Sequence, residues 1–187
     1  MYSLFLWTVF FILSFISGSV NFTYISSNGQ DQLNCGTLIR KCKTIDYALN
    51  QTQSNEITLV FETSTTESLK YNLTKSIEGM NFIRFFKDSP AGKNPTIQGN
   101  NQPFIRKGVV DIKINSINLH EVSLIDSAKS ASEISLSING SSIQISRSNF
   151  ISVKQVKQVQ IRLENCSLKS PFIIWKETNC SSINISG

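Results

Sequence analysis

The 187-residue chain contains one histidine, His120, and only two tryptophans, two methionines and four prolines. A single imidazole and the lack of any Cys-x-x-Cys pair exclude the common zinc sites. No Gly-x-Ser-x-Gly is present, so there is no nucleophile elbow, and no glycine-rich phosphate loop occurs. Charged residues make up only 17% of the chain, 18 basic against 13 acidic, for a formal net charge of +5. The acids are spread singly, without the paired carboxylates that glycoside hydrolysis needs. After the first twenty residues no apolar run approaches the roughly 20 residues that span a bilayer. No nucleic-acid module pattern is found, so nucleic acid is not an expected partner.

The strongest apolar segment is at the start. Leu4 to Ile16 is nearly unbroken and is followed by Ser17-Gly18-Ser19. Its length and the small residues behind it predict a signal peptide over 1–19, cleaved after Ser19. The alternative is an uncleaved N-terminal anchor, since no Lys or Arg precedes the run. Seven Asn-x-Ser/Thr sequons, at Asn21, Asn50, Asn72, Asn139, Asn165, Asn179 and Asn184, agree with a secreted or cell-surface glycoprotein. The four cysteines fall into two distant pairs. In an oxidising compartment this reads as two local disulfides, Cys35–Cys42 and Cys166–Cys180, with the other two pairings still open.

One short helix is predicted from Thr44 to Gln51. Thr44 is a good N-cap, Asp46 suits the first turn, and Ile45, Ala48 and Leu49 share a face. The pattern then becomes β. Ile57–Phe61 and Phe82–Phe86 are strands, and Lys87 to Gln102 is the longest turn. Ile112–Leu119, Leu136–Ile143, Ile161–Leu168 and Ile183–Gly187 align as repeats. Counting those two strands with the four repeats, the first apolar positions, at residues 57, 83, 112, 136, 161 and 183, recur at steps in the twenties, the period expected of a coil with three short strands and three turns. Alternation places Ile112/Ile114, Leu136/Ile138, Ile161/Leu163 and Ile183/Ile185 inward in columns. Asn115 and Asn139 fall at one place after the strand and are candidates for an amide ladder, broken by Glu164 and Ser186. A β-sandwich is the competing fold.

The segment from Tyr24 to Leu49 carries a family likeness. Its Gly29-Gln30-Asp31 turn, Cys35-Gly36, Cys42 and Thr44-Ile45-Asp46-Tyr47-Ala48-Leu49 resemble the opening of extracellular parallel β-helix proteins of the pectin-lyase-like group. Pro95-Thr96-Ile97-Gln98-Gly99 resembles a step found early in such chains. The resemblance implies an all-β, right-handed parallel β-helix (solenoid) whose short N-terminal helix covers the first open coil. On that frame residues 20–55 form the capping segment and residues 56–187 the coils, expected to be incomplete at the C-terminus because Gly187 follows a strand directly.

The group includes polysaccharide lyases, which hold Ca²⁺ with clustered acids, and hydrolases with close carboxylates. Asp111, Glu133 and Glu164 are the nearest approach to an acid cluster here, and they read as solvated edge charges. No Asp-Asp or Gly-His-Gly stretch is present. His120 reads as structural or solvated, and Asp31 alone is not a calcium site. No catalytic residue, metal or cofactor is assigned. Lys154 to Arg162 is the densest basic stretch, either a solvated edge or a patch for acidic glycans or anionic surfaces. The expected function is a non-catalytic scaffold for adhesion or recognition, of glycans or of another cell-surface protein. A carbohydrate-active enzyme of the same group, or an inactive fragment of one, is the alternative.

Overall fold

The computed structural model describes residues 22–75, 77–78, 80–99, 103–106, 111–127, 133–144, 151–153, 158–169, 174–176 and 182–186. They form a parallel β-helix built from three sheets. The first sheet holds seven strands: β1 (Phe22–Ile25), β2 (Glu56–Phe61), β4 (Phe82–Lys87), β7 (Asp111–Asn115), β10 (Glu133–Asn139), β13 (Gln158–Glu164) and β16 (Ser182–Ser186). The second comprises β3 (Lys70–Asn72), β5 (Thr96–Gln98), β8 (Asn118–His120), β11 (Ser142–Gln144) and β14 (Ser167–Leu168). The third comprises β6 (Pro103–Arg106), β9 (Ser123–Ser127), β12 (Ile151–Val153) and β15 (Ile174–Lys176). Every strand pairing among the described residues is parallel. From β1 to β2 the chain passes through a helix, and from β2 to β4 through the second sheet alone. From β4 onward each step from one rung to the next passes through both other sheets.

Alternation explains the core. Ile57, Ile83, Ile112, Leu136 and Ile161 stack in register and are all buried, as are Leu59, Phe85, Ile114 and Ile138 one step along. Tyr71, Ile97, Leu119 and Ile143 form the facing column from the second sheet. Each such side chain is worth about 1.5–3 kcal/mol when taken fully out of water. At the first rungs the filling is aromatic: Phe61 meets the Tyr71 ring edge-on at 5.1 Å and stacks on Phe85 at 6.1 Å.

The last repeat sits differently from expectation. Ile185, not Ile183, lies opposite Ile161, while Ile183 lies opposite Val159 and Ser186 opposite Arg162. A shift of two residues keeps the same side chains on the same face, so alternation alone does not distinguish the two registers. The stretch Lys87–Gln102 is also not one turn. Lys87 ends β4, and Thr96–Gln98 forms β5, the step that carries the family likeness.

The corner between the first and second sheets repeats. Ser116, Gly140 and Asn165 each take a positive φ, 56°, 62° and 52°. Their backbones continue the ladder between coils: Ser116 N donates to Asn139 O at 2.8 Å and Gly140 N to Glu164 O at 2.9 Å. The next residue of each corner, Ile117, Ser141 or Cys166, turns inward or nearly so. Ser141 Oγ compensates its burial by donating to Asn139 O and accepting from Ile117 N.

The first rung is closed by the opening motif. Asp31 Oδ1 accepts from Lys43 N and Thr44 N, both at 2.9 Å, and its Oδ2 accepts from the Thr44 hydroxyl at 2.8 Å. Thr44 Oγ1 in turn caps helix α1 (Ile45–Asn50) by accepting from Tyr47 N. Ile45 and Ala48 are buried against the core, as their spacing predicts. Asp46 of α1 accepts from Lys75 N and from both the amide and hydroxyl of Thr74, tying the helix to the chain after β3. Gly29 is needed because a Cβ there would lie 2.6 Å from the carbonyl oxygens of Lys41 and Cys42.

Candidate functional site

Two places bring polar chemistry together. The first is the outer face of the seven-stranded sheet. Residues that alternate with the core columns point away from it, and strand register sets them in rows. One row runs Phe22, Thr58, Arg84, Lys113, Ser137, Arg162 and Ser186. Neighbouring strands are about 4.8 Å apart, so Arg84 and Lys113 are adjacent and Arg162 follows two rungs on. Each cation has a neighbour on its own strand: Arg84 lies over the Phe82 ring at 5.8 Å, Lys113 is 3.7 Å from Asp111, and Arg162 Nε donates to Glu164 at 2.8 Å. Lys113, Ser135, Ser137, Gln160, Arg162 and Ser186 line an open groove of about 620 Å³ across these rungs. One Asp111 carboxylate oxygen beside it is buried without a hydrogen-bond partner.

The second place is the corner after β2 and β4. Ser26 and Lys41 both donate to the Glu62 carboxylate, Lys41 at 2.9 Å, and the same ammonium lies 3.9 Å from Asp88. Asp88 also accepts from the Thr63 amide and hydroxyl, and the Tyr71 hydroxyl donates to Glu62 O. Burial alone would push the Glu62 carboxyl up, but the hydrogen bonds from Ser26 and Lys41 and the Lys41 charge outweigh it and hold it below the ordinary range. Burial, reinforced by the Glu62 charge, pushes the Tyr71 hydroxyl well up. Since both reach the Lys41 ammonium, the nearest Glu62 and Asp88 carboxylate oxygens are at most about 7 Å apart, a limit that admits a glycosidase pair without fixing its spacing. Yet a general acid needs a raised pKa, and Glu62 is held ionised. The arrangement locks the cap to the first two rungs.

Glu62, Asp88 and Lys41 are not singled out by sequence reasoning. The signal available is that Glu62 directly follows β2 and Asp88 directly follows β4, so equivalent corners stack.

The acids expected at edges do not converge. Asp111 lies opposite Ser135, so Glu133, opposite Gln158, is offset from it by two residues, and Glu164 lies opposite Asn139 at the far end of the strands. His120 is half-buried in an outer row with Gln98 and Gln144. Among the described residues no group of three or more His, Cys, Asp or Glu side chains is placed to hold a metal. The lone Asp31 is occupied by the backbone of its own turn.

Of the expected disulfides, Cys35–Cys42 is formed. Cys166 carries a free thiol that donates to Ile138 O and Glu164 O, and Cys180 lies outside the described residues. Asn115 and Asn139 are in register, but they do not build an inward ladder. Asn115 is exposed, and Asn139 Oδ1 accepts from Asn165 Nδ2 on the outside at 3.3 Å. Among the sequons, Asn50, Asn72 and Asn165 are exposed and Asn139 is half-buried. Asn184 is placed within β16, and Asn21 and Asn179 lie outside the described residues. Lys154 and Lys157 also lie outside them, and Arg162 is the member of that basic stretch found on the outer face.

Comparison with protein-family profiles, with characterised proteins and with solved structures finds no match for this chain. Among the described residues no helix is long and apolar enough to cross a membrane.

Proposed function

We propose that this chain is a secreted or cell-surface, N-glycosylated β-helix, of the pectin-lyase-like kind in architecture. On this reading it recognises an acidic glycan along the outer face of its seven-stranded sheet and does not transform it. The observation that carries the reading is the cross-strand row of Arg84, Lys113 and Arg162, with the Ser137 hydroxyl between the last two, beside an open groove. The ion pairs with Asp111 and Glu164 are half-exposed or more on the cation side, so they are worth little and yield readily to a carboxylated or sulfated ligand. The signal sequence and the sequons support the extracellular setting. Titration of the secreted protein with polygalacturonate and with a sulfated polysaccharide should show salt-sensitive binding that neutral dextran lacks. Lys113→Gln/Arg162→Gln should weaken it at least tenfold, taking about 1 kcal/mol for each lost charge contact. Equal affinity of variant and wild type removes the proposal.

The second reading is a glycoside hydrolase or lyase, or its inactive remnant, and Glu62 with Asp88 is the observation that favours it. Release of reducing or unsaturated ends from polygalacturonate, abolished in Glu62→Gln, would establish it in place of the first.

A further inference from the structure

The disulfide loop at the capped end of the solenoid presents aliphatic side chains to water. Ile39 is 93% exposed, Leu38 64%, and Leu33, two residues before the bridge, 77%. Single exposed aliphatics are ordinary, but adjacent ones at a loop tip are not. The loop is held in one shape. The Cys35–Cys42 bridge closes it, Gly36 N donates to Arg40 O at 2.7 Å, and Arg40 N donates to Thr37 Oγ1 at 3.0 Å. Its base is fastened to β1, with Tyr24 N donating to Gly36 O and Cys42 N to Tyr24 O. Little conformational entropy therefore remains to be lost when the tip is buried.

The loop itself is basic, with the Asp31 carboxylate at its base turned to the amides of Lys43 and Thr44. Residues 32–45 contain no Asp or Glu. Lys41 turns its ammonium to Glu62 and Asp88, while Arg40 and Lys43 are exposed on either side of Cys42. Aliphatic side chains at the tip with cations behind them suit an anionic bilayer: the apolar groups enter the acyl boundary as the cations meet the headgroups. We propose that loop 35–42 is a peripheral docking finger for membranes that carry anionic headgroups. It is independent of the glycan-binding reading, which uses the face of the sheet.

The test is co-sedimentation of the secreted chain with vesicles of phosphatidylcholine, alone and mixed with phosphatidylserine. The mixed vesicles should bind it and release it as salt is raised. Leu38→Ser/Ile39→Ser should cost about a hundredfold in partitioning and Arg40→Gln/Lys43→Gln about thirtyfold. All these side chains are exposed, so both variants should keep the wild-type melting temperature and the disulfide. Free glycerophosphoserine should not release the bound chain, because it offers no acyl phase. Failure of the wild type to bind mixed vesicles overturns the proposal, as does unchanged binding of the serine pair. So does a wild-type dimer that the serine pair converts to monomer, which would make the loop a contact between copies.

Discussion

The first rungs and the later coils of this solenoid are held by different means. Around β1, β2 and β4 the fasteners are particular and do not repeat: a disulfide, the Asp31 and Asp46 carboxylates on backbone amides, the Lys41–Glu62–Asp88 lock and an aromatic trio. From β7 onward the same few elements recur, aliphatic columns and a corner with one left-handed residue. A repeat shares its core with its neighbours, whereas the first rung has a neighbour on one side only. Here the free edge of β1 is covered by the 35–42 loop, through Tyr24 and Cys42 backbone bonds. That removes an edge on which another chain could add a strand.

The contrast is most sharply broken at Phe61. Phe61→Ala would remove the ring that joins Tyr71 and Phe85 and should cost about 3–5 kcal/mol. Ile112→Val in the repeating column should cost about 0.5–1.5 kcal/mol. Urea unfolding followed by circular dichroism measures both. Similar losses would mean that the first rungs have no special standing.

The disulfide comes next. Cys42→Ser opens a loop whose ends are seven residues apart and should cost about 2.5 kcal/mol. It also leaves Cys35 unpaired, so less protein should reach the medium of a secreting host. Equal yield of variant and wild type would show that the backbone bonds of the loop suffice without the bridge.

Ser116 tests the later coils. It holds φ at 56° in the corner where Gly140 holds 62° without a Cβ. Ser116→Gly relieves that conformation, so stability should rise by about 0.5–1 kcal/mol, unless loss of the Ser116 hydroxyl bond to Asn115 offsets it. A thermal melt of the variant decides the sign.

The opening motif and the seven-stranded sheet were legible because both have strong local signals. The motif needs a glycine where carbonyls crowd and an Asp within reach of two amides. The sheet shows alternating Ile and Leu over five or more residues in most rungs. The second and third sheets were not legible as strands, since β8, β11 and β12 are three residues long and β14 two, too short to display a period. The final register slipped by two because Val159 and Ile161 are equally good partners for Ile183. The outer cation row is not legible in the sequence for a related reason. Arg84, Lys113 and Arg162 are far apart in sequence and meet only through register. The Glu62–Lys41–Asp88 lock likewise joins a loop to two successive corners.

That lock gives the smallest effect and a definite sign. The folded Glu62 carboxyl titrates below its ordinary value of 4.5. Between the two values the unfolded chain binds more protons, so the stabilisation is complete above pH 4.5 and is lost as pH falls through the folded value. Wild type should therefore melt above Glu62→Gln near neutral pH, and the gap should close on acidification. The carboxylate is partly exposed, so solvent screens it and the gap should not exceed about 2 °C. Tyr71 acts at the other end of the scale. Its raised value means that stability present below pH 10 is lost as pH climbs toward the folded value. If the gap between wild type and Glu62→Gln does not narrow as pH falls below 4.5, the carboxylate charge is not what holds the loop. The Ser26 and Lys41 contacts would then be incidental to the cap, and the first rungs would rest on the disulfide, the Asp31 and Asp46 carboxylates and the aromatic core.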